Sequence, residues 1–448
     1  MKKRILAVLC AAALLLSLTA CQNQSTSEST SDSSSQSQAS QSSESASAEE
    51  SSSEEQSSVQ SEESSEQSSN GGEYVKYVLD GEITPNMISK SRLNEGNKVR
   101  LANVIKKLQN SEEVTVGYIG GSITQGTSAG NDLCYAKLTT NWLEEKFPNA
   151  KINYVNAGIG ATGSYIGVHR VGTDLLSQNP DLVFVEFSVN DTTEATERNK
   201  ESYDSLLRTI WQYETNPAII TIVTTQEDGT SFQQYHSEIA IKYDLPMISY
   251  HDAILDVIDH GDIEWKDISD DNIHPNVPGH KIVSQLIQSY ISDVIDNLDS
   301  ISGEESDFSE PATKAGFVNG QLLTPSNTEA GGTGFDVQNT LFGGFNGYWM
   351  ARAKSGESYG DTALTFEVTA KNIGILYGKM TSKATFADIY IDDEFVTTLN
   401  ADFSGGWGNY VECAQLKTFD EEGKHTVKIV PKDADAASMF IVNALAIA

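Results

Sequence analysis

Between residues 94 and 295 the apolar positions alternate between two patterns. Val99, Val104, Ile105 and Leu108 stand near helical spacing, so 94–110 is expected as a helix with Asn94 as its cap. A short apolar run at 114–119 predicts a strand, 133–147 a helix stopped by Pro148, and 152–155 a second strand. The alternation continues with a helix at 165–178, a nearly continuous apolar strand at 182–187, a helix at 202–213 and a strand at 218–224. A helix at 231–243 and a brief strand at 247–250 follow, and Pro278 opens a long helix with Ile282, Val283, Leu286, Ile287, Tyr290 and Ile291 along one face. Strands without polar alternation, separated by helices, imply a parallel sheet covered on both faces, a doubly wound α/β domain. Reactive groups then belong at the carboxyl ends of the strands.

The period changes after a polar, acidic linker at 300–313. Strand-like runs at 364–368, 373–377, 386–391, 394–399, 411–416, 425–430 and 439–445, separated by turn signals such as Gly343-Gly344 and Gly405-Gly406, predict an all-β, jelly-roll-like sandwich. The domains are therefore expected at 74–299 and 314–448. Ahead of them, residues 22–73 hold 23 Ser and 11 acidic residues without Lys or Arg. Such a composition builds no core and acts as a tether of ~40 Å mean reach.

The N-terminus has its own pattern. Three cations at Lys2, Lys3 and Arg4 precede an apolar stretch at 5–16 and then Leu18-Thr19-Ala20-Cys21. This resembles the lipobox of bacterial lipoproteins, which implies a signal peptide at 1–21 and diacylation of Cys21. Two acyl chains suffice for stable attachment, so the expected location is extracytoplasmic, on the bacterial cell membrane. No apolar run beyond the leader reaches the ~20 residues of a membrane helix. Of the cysteines left, Cys134 and Cys413 are open to a disulfide or to two packed free thiols.

Charge removes one class of partner. With 30 Lys and Arg against 63 Asp and Glu, the net charge is -33, which argues against nucleic acid. Residues 74–310 carry 17 basic and 36 acidic groups and 311–448 carry 10 and 16, so a strongly anionic polymer is repelled as well. No CxxC, HExxH or His/Cys cluster calls for a metal, and no cofactor is expected.

Three predicted strands end in turns suited to acyl transfer. Gly120-Gly121-Ser122 follows the first, and a glycine-rich loop, Asn156 through Gly158, Gly160 and Ala161 to Gly163, follows the second. Ser188-Val189-Asn190-Asp191 ends the third, and Asp271-Asn272-Ile273-His274 lies near the end of the domain. A serine hydroxyl needs an adjacent base at neutral pH, an imidazole can take and return the proton, and an acid must fix its tautomer. In these blocks and their order, over roughly 114–295, the chain resembles the SGNH family of GDSL-type esterases and acylhydrolases. The resemblance implies Ser122 as nucleophile, His274 as base and Asp271 as its acid. It also implies an oxyanion hole from the Ser122 amide, a loop amide at Ala161 or, as alternatives, Gly160 or Gly158, and the Asn190 side chain. Two departures stand out: Gly121 replaces the family's Asp, and Ala161 replaces a glycine, which serves if its φ is negative.

Arg170, near the second block, is expected either at the substrate or in a buried salt bridge, for which Glu186 is one candidate partner. The remaining histidines are expected to be structural. In the β module Tyr348, Trp349, Tyr377, Trp407 and Tyr410 are candidates for a sugar-stacking surface or for core, with Trp407 favoured for exposure by its Gly-Gly-Trp-Gly loop. The expected activity is removal of O-acyl groups, above all acetyl, from a polysaccharide or small ester. A lipid or aryl esterase, an acyltransferase, and an inactive tethered carbohydrate-binding protein are the alternatives.

Overall fold

The computed structural model describes residues 73–192, 195–434 and 436–448; the leader, Cys21 and nearly all of the Ser-rich tether lie outside them. Six strands, β1 (Arg92–Asn94), β2 (Glu113–Gly120), β3 (Lys151–Gly158), β4 (Leu182–Glu186), β5 (Ala218–Val223) and β6 (Met247–Ser249), form one sheet in the order β1-β6-β5-β4-β2-β3. All pairings are parallel except β1 with β6. Every residue of β4 and β5 is buried, the burial expected of continuous apolar runs between two helical layers.

The pleat divides the core in two. Val114, Val116, Leu182, Phe184, Ile220 and Ile222 pack with the helices Val99–Gln109, Tyr135–Lys146, Tyr250–Asp259 and Val277–Asp296. Ile119, Val183, Val185, Ile219 and Val223 face the helices Ser164–Asp174, Thr196–Trp211 and Gln233–Lys242. The chain order turns back at β2, with β3 on one side and β4 on the other, so the loops after β2 and β4 diverge and open a crevice at their carboxyl ends.

Two elements depart from the sequence expectation. Residues 92–94 form β1 rather than leading into a helix, and that helix begins at Val99. The three residues Arg92, Leu93 and Asn94 hold no apolar run to reveal a strand. The helix Tyr250–Asp259 was not expected, although Tyr250, Ala253, Ile254 and Val257 are buried at helical spacing and Ser249 caps it by accepting from the Asp252 amide at 2.9 Å.

The second half is an antiparallel β sandwich whose strands run Glu394–Asn400, Phe386–Ile391, Tyr410–Pro431, Ala363–Lys379, Ser438–Ile447, Phe345–Ala353 and Phe335–Phe342. The predicted runs at 364–368 and 373–377 are one strand, and a hairpin turning at Gly343-Gly344 adds the last two. Trp349, Phe366, Ile375, Ile389, Val427 and Phe440 fill its core.

Residues 300–313 run along the α/β domain rather than standing clear of it. Phe308 lies between Trp211 and Tyr243 at 4.5 and 3.9 Å, and Asp204 accepts from the Thr313 amide and hydroxyl at 2.7 Å. Beyond this strap, Phe317, Leu322, Leu376, Val411, Ala444 and Ala446 join the apolar cluster that holds Tyr165, Ile166 and Phe187. One core thus crosses the boundary. Cys134 is buried and Cys413 half-buried, both as free thiols.

Candidate active site

β2 delivers Ser122 to the crevice as the first residue of the short helix Ser122–Gln125. Two glycines make this turn feasible. A Cβ at Gly120 would stand 2.1 Å from Thr124 Oγ1, and one at Gly121 would stand 2.0 Å from Asn190 Oδ1. At the position of the missing Asp, a side chain would have to displace the end of the Asn190 carboxamide.

Asp271 and His274 come from the loop before the helix Val277–Asp296. The loop is closed by a bridge between Ser269 and Pro275, and Trp265 Nε1 donates to the Asp271 carbonyl at 2.7 Å. His274 Nδ1 donates to Asp271 Oδ2 at 2.7 Å, which leaves Nε2 to accept from the Ser122 hydroxyl at 2.9 Å. Asp271 Oδ1 accepts from the Ile273 and His274 amides, both at 2.7 Å. Partial burial pushes the Asp271 carboxyl up, but these hydrogen bonds and the imidazole more than offset it and hold the group below its ordinary value. The acid therefore stays ionised at neutral pH, as the tautomer-fixing role demands.

Asn190 and the second loop face Ser122 from the other side. Asn190 Oδ1 is buried toward Gly121 with no hydrogen-bond partner among the described residues, and the side chain lines the pocket beside Ser122. Its neighbour Asp191 points backward, accepting from the Ser164 amide at 2.8 Å and meeting His236 Nε2 at 3.0 Å in a fully buried contact. Of the loop amides, Gly158 donates to Asn156 Oδ1 and Gly160 to Gln125 Oε1, both at 2.9 Å, whereas Ala161, which lines the pocket, has its amide engaged by no hydrogen bond among the described residues. Ala161 has φ 58°, in the left-handed region, so the negative φ expected of it is not the conformation it takes; its N–H is still available there, at a backbone cost of ~1–3 kcal/mol for a residue with a side chain.

Arg170 is buried in a salt bridge, as in one of the two readings expected, but not with the partner suggested for it. It is 1 % exposed and lines no part of the pocket, and its charged partner is Asp174 at 3.2 Å, not Glu186. The pleat gives the reason. Leu182 and Phe184 face one helical layer, and Glu186 follows their parity, whereas the helix bearing Arg170 covers the opposite face. Glu186 lies instead among hydroxyls, with Thr224 Oγ1 at 2.8 Å and Thr124 Oγ1 at 3.3 Å. Burial pushes its carboxyl up, against those hydrogen bonds, to about 7.

Ser122, Gln125, Gly160, Ala161, Asn190, Asp271 and His274 line a cavity of about 620 Å³ together with Gly343, Gly344, Trp407, Asn409 and Tyr410 of the β sandwich. Trp407 is 72 % exposed and stacks on Tyr410 at 5.1 Å, with Phe403 edge-on to both. Trp349 and Tyr377 are core residues, and Tyr348 packs beside Phe342, so two of the five candidate aromatics reach the pocket. Gln125 and Asn409 were missed, as polar residues without any periodic signal. His169, His236 and His280 are buried away from it. No group of three or more possible metal ligands occurs among the described residues, and no helix there is long and apolar enough to cross a membrane.

A serine paired to an imidazole, an ionised acid behind it and free N–H groups in front make an arrangement able to attack an ester carbonyl and hold the resulting oxyanion. Comparison with known proteins agrees. The GDSL-like Lipase/Acylhydrolase family model matches residues 118–282. No curated protein sequence matches the chain. Among solved structures, a two-domain esterase (CEX) active on acetylated mannans is 30 % identical, with a TM-score of 0.74, covering 80 % of this chain and 97 % of that one. The same esterase co-crystallized with mannopentaose is 29 % identical, with a TM-score of 0.73, covering 83 % and 98 %. The chain belongs to the GDSL-like lipase/acylhydrolase family and is a serine ester hydrolase.

Proposed function

We propose that the protein removes O-acetyl groups from a neutral polysaccharide through an acyl-enzyme at Ser122. The observation that carries this reading is the single cavity in which Ser122, His274 and Asn190 meet Trp407 and Tyr410 from the second domain. Ser122 Oγ attacks the acetyl carbon as its proton passes to His274 Nε2. The Ser122 and Ala161 amides and Asn190 Nδ2 hold the oxyanion. Collapse expels the sugar oxygen, which takes the proton back from His274, and water then repeats the sequence to release acetate. The flat faces of Trp407 and Tyr410 suit a pyranose ring, and the similarity to an esterase active on acetylated mannans supports a glycan substrate. Export and diacylation at Cys21, with the Ser-rich tether as spacer, complete the proposal and would hold the enzyme at the cell surface.

The test is release of acetate from acetylated mannan and xylan, set against fatty acid from a lysophospholipid. Acetate from a glycan is expected, and turnover of the lipid alone would sink the proposal. Trp407→Ala is expected to raise KM for the polymer ~2- to 10-fold, the weight of one aromatic stacking contact, and to leave hydrolysis of a small aryl acetate nearly unchanged. Asn190→Ala removes one preorganised donor and is expected to lower kcat by ~10²- to 10³-fold on both substrates, with KM little altered. Steady-state kinetics on the two substrates read both variants.

A further inference from the structure

Arg170 is the largest fully buried side chain that no step of the reaction uses. Its guanidinium reaches the carboxyl ends of two neighbouring strands: Nη1 donates to the Ala157 carbonyl at 2.6 Å and Nη2 to the Gly120 carbonyl at 3.0 Å. β2 and β3 are paired in register here, Ile119 with Ala157 and Gly120 with Gly158, so the two acceptors lie across one end of the ladder. Gly120 is two residues before Ser122, and Ala157 is four before Ala161. One planar fork therefore ties the turn bearing the nucleophile to the loop bearing an oxyanion donor. The Gly120 carbonyl also accepts from the Ile159 amide of that loop at 3.1 Å.

A packing requirement alone does not explain this residue. Burying a guanidinium is unfavourable, and well-packed apolar side chains commonly replace buried ion pairs without loss of stability. Its only acid, Asp174, is a third exposed. What arginine adds over an apolar residue is two donors at a fixed separation. Oxyanion donors must be held to within ~0.5 Å of their working position.

We propose that Arg170 is a positioning residue of the oxyanion hole, setting the separation of the Ser122 and Ala161 amides by bridging the Gly120 and Ala157 carbonyls. The inference rests on the acyl-enzyme assignment at Ser122. Lysine keeps the charge but offers one nitrogen on a flexible stem in place of a rigid fork, so it does not hold the two carbonyls at a fixed separation.

The experiment uses the whole chain, a small aryl acetate, and titration of competent sites with a fluorophosphonate. For Arg170→Lys, kcat per titrated site is expected to fall ~10²-fold, the effect of a misplacement near 1 Å, with KM within about threefold. The rate of phosphonate labelling should fall in parallel, because the tetrahedral adduct needs the same donors. Asp174→Asn, which removes the ion pair and leaves both carbonyl contacts, should stay within about threefold of the unaltered enzyme. In Arg170→Ala, added methylguanidinium should restore part of kcat. Retention of kcat per site in Arg170→Lys, or an equal fall in Asp174→Asn, would overturn the proposal. So would failure of both Arg170 variants to fold, which would make the residue a purely structural one. Absence of turnover by the unaltered enzyme would instead count against the esterase reading, and the labelling rates would still decide the role of Arg170.

Discussion

Replacing Ser122 or His274 by alanine is expected to lower kcat by about 10⁵- to 10⁶-fold, and replacing both to cost no more than either alone. The two groups act as one unit. The 2.9 Å contact between Ser122 Oγ and His274 Nε2 makes the serine nucleophilic only while the imidazole can take its proton. Once either partner is gone, the other has nothing left to contribute. A residue of activity should persist in all three variants, because the Ser122 and Ala161 amides and Asn190 can still polarise a bound ester for attack by water. Aryl acetate turnover, with fluorophosphonate labelling to confirm loss of the nucleophile, measures both points. A double variant far below the single ones would show that Ser122 and His274 act in separate steps.

Much of this site was readable from residue order, and the reason is physical. Glycine at 120 is required because Thr124 and the Glu186 carbonyl fill the space a Cβ would take, so the turn before the nucleophile leaves a trace in composition. β4 and β5 announce themselves because burial on both faces leaves Glu186 and Thr221 as their only polar residues. The remaining features depend on which face a side chain takes. Arg170 and Glu186 looked like partners because they flank the same motifs, but they point into opposite helical layers. Ala161 could be named as a donor, yet its amide is singled out by Gln125 capturing the Gly160 amide, a contact across 35 residues that no spacing rule reveals. Trp407 was separable from core aromatics by its glycine-rich loop, whereas Tyr410 begins a strand and carries no such mark.

Removal of the β sandwich is expected to abolish activity rather than merely weaken binding to polymer. A chain ending near residue 310 would lose Phe317, Leu322, Leu376 and Val411, each buried in the cluster that covers Tyr165, Ile166 and Phe187. At roughly 1.5–3 kcal/mol for each large apolar side chain, this is ~6–12 kcal/mol, comparable with the ~5–15 kcal/mol that stabilises a typical domain. The fragment should be unfolded or aggregated by circular dichroism and gel filtration. A point variant separates the catalytic consequence from the folding one. Gly344, at φ 88°, turns the hairpin against the oxyanion loop, and a Cβ there would stand 2.5 Å from Ile159 Cγ2. Gly344→Val should displace Ile159, and with it the neighbouring Gly160 and Ala161, lowering kcat on an aryl acetate by ~10- to 100-fold in a protein that still folds. An aryl acetate is too small to need a glycan-binding surface, so its slower hydrolysis would report the loop itself. Unchanged kcat in Gly344→Val, or a folded and active fragment, would mean that the sandwich only binds substrate; the expected result makes it one wall of the catalytic apparatus.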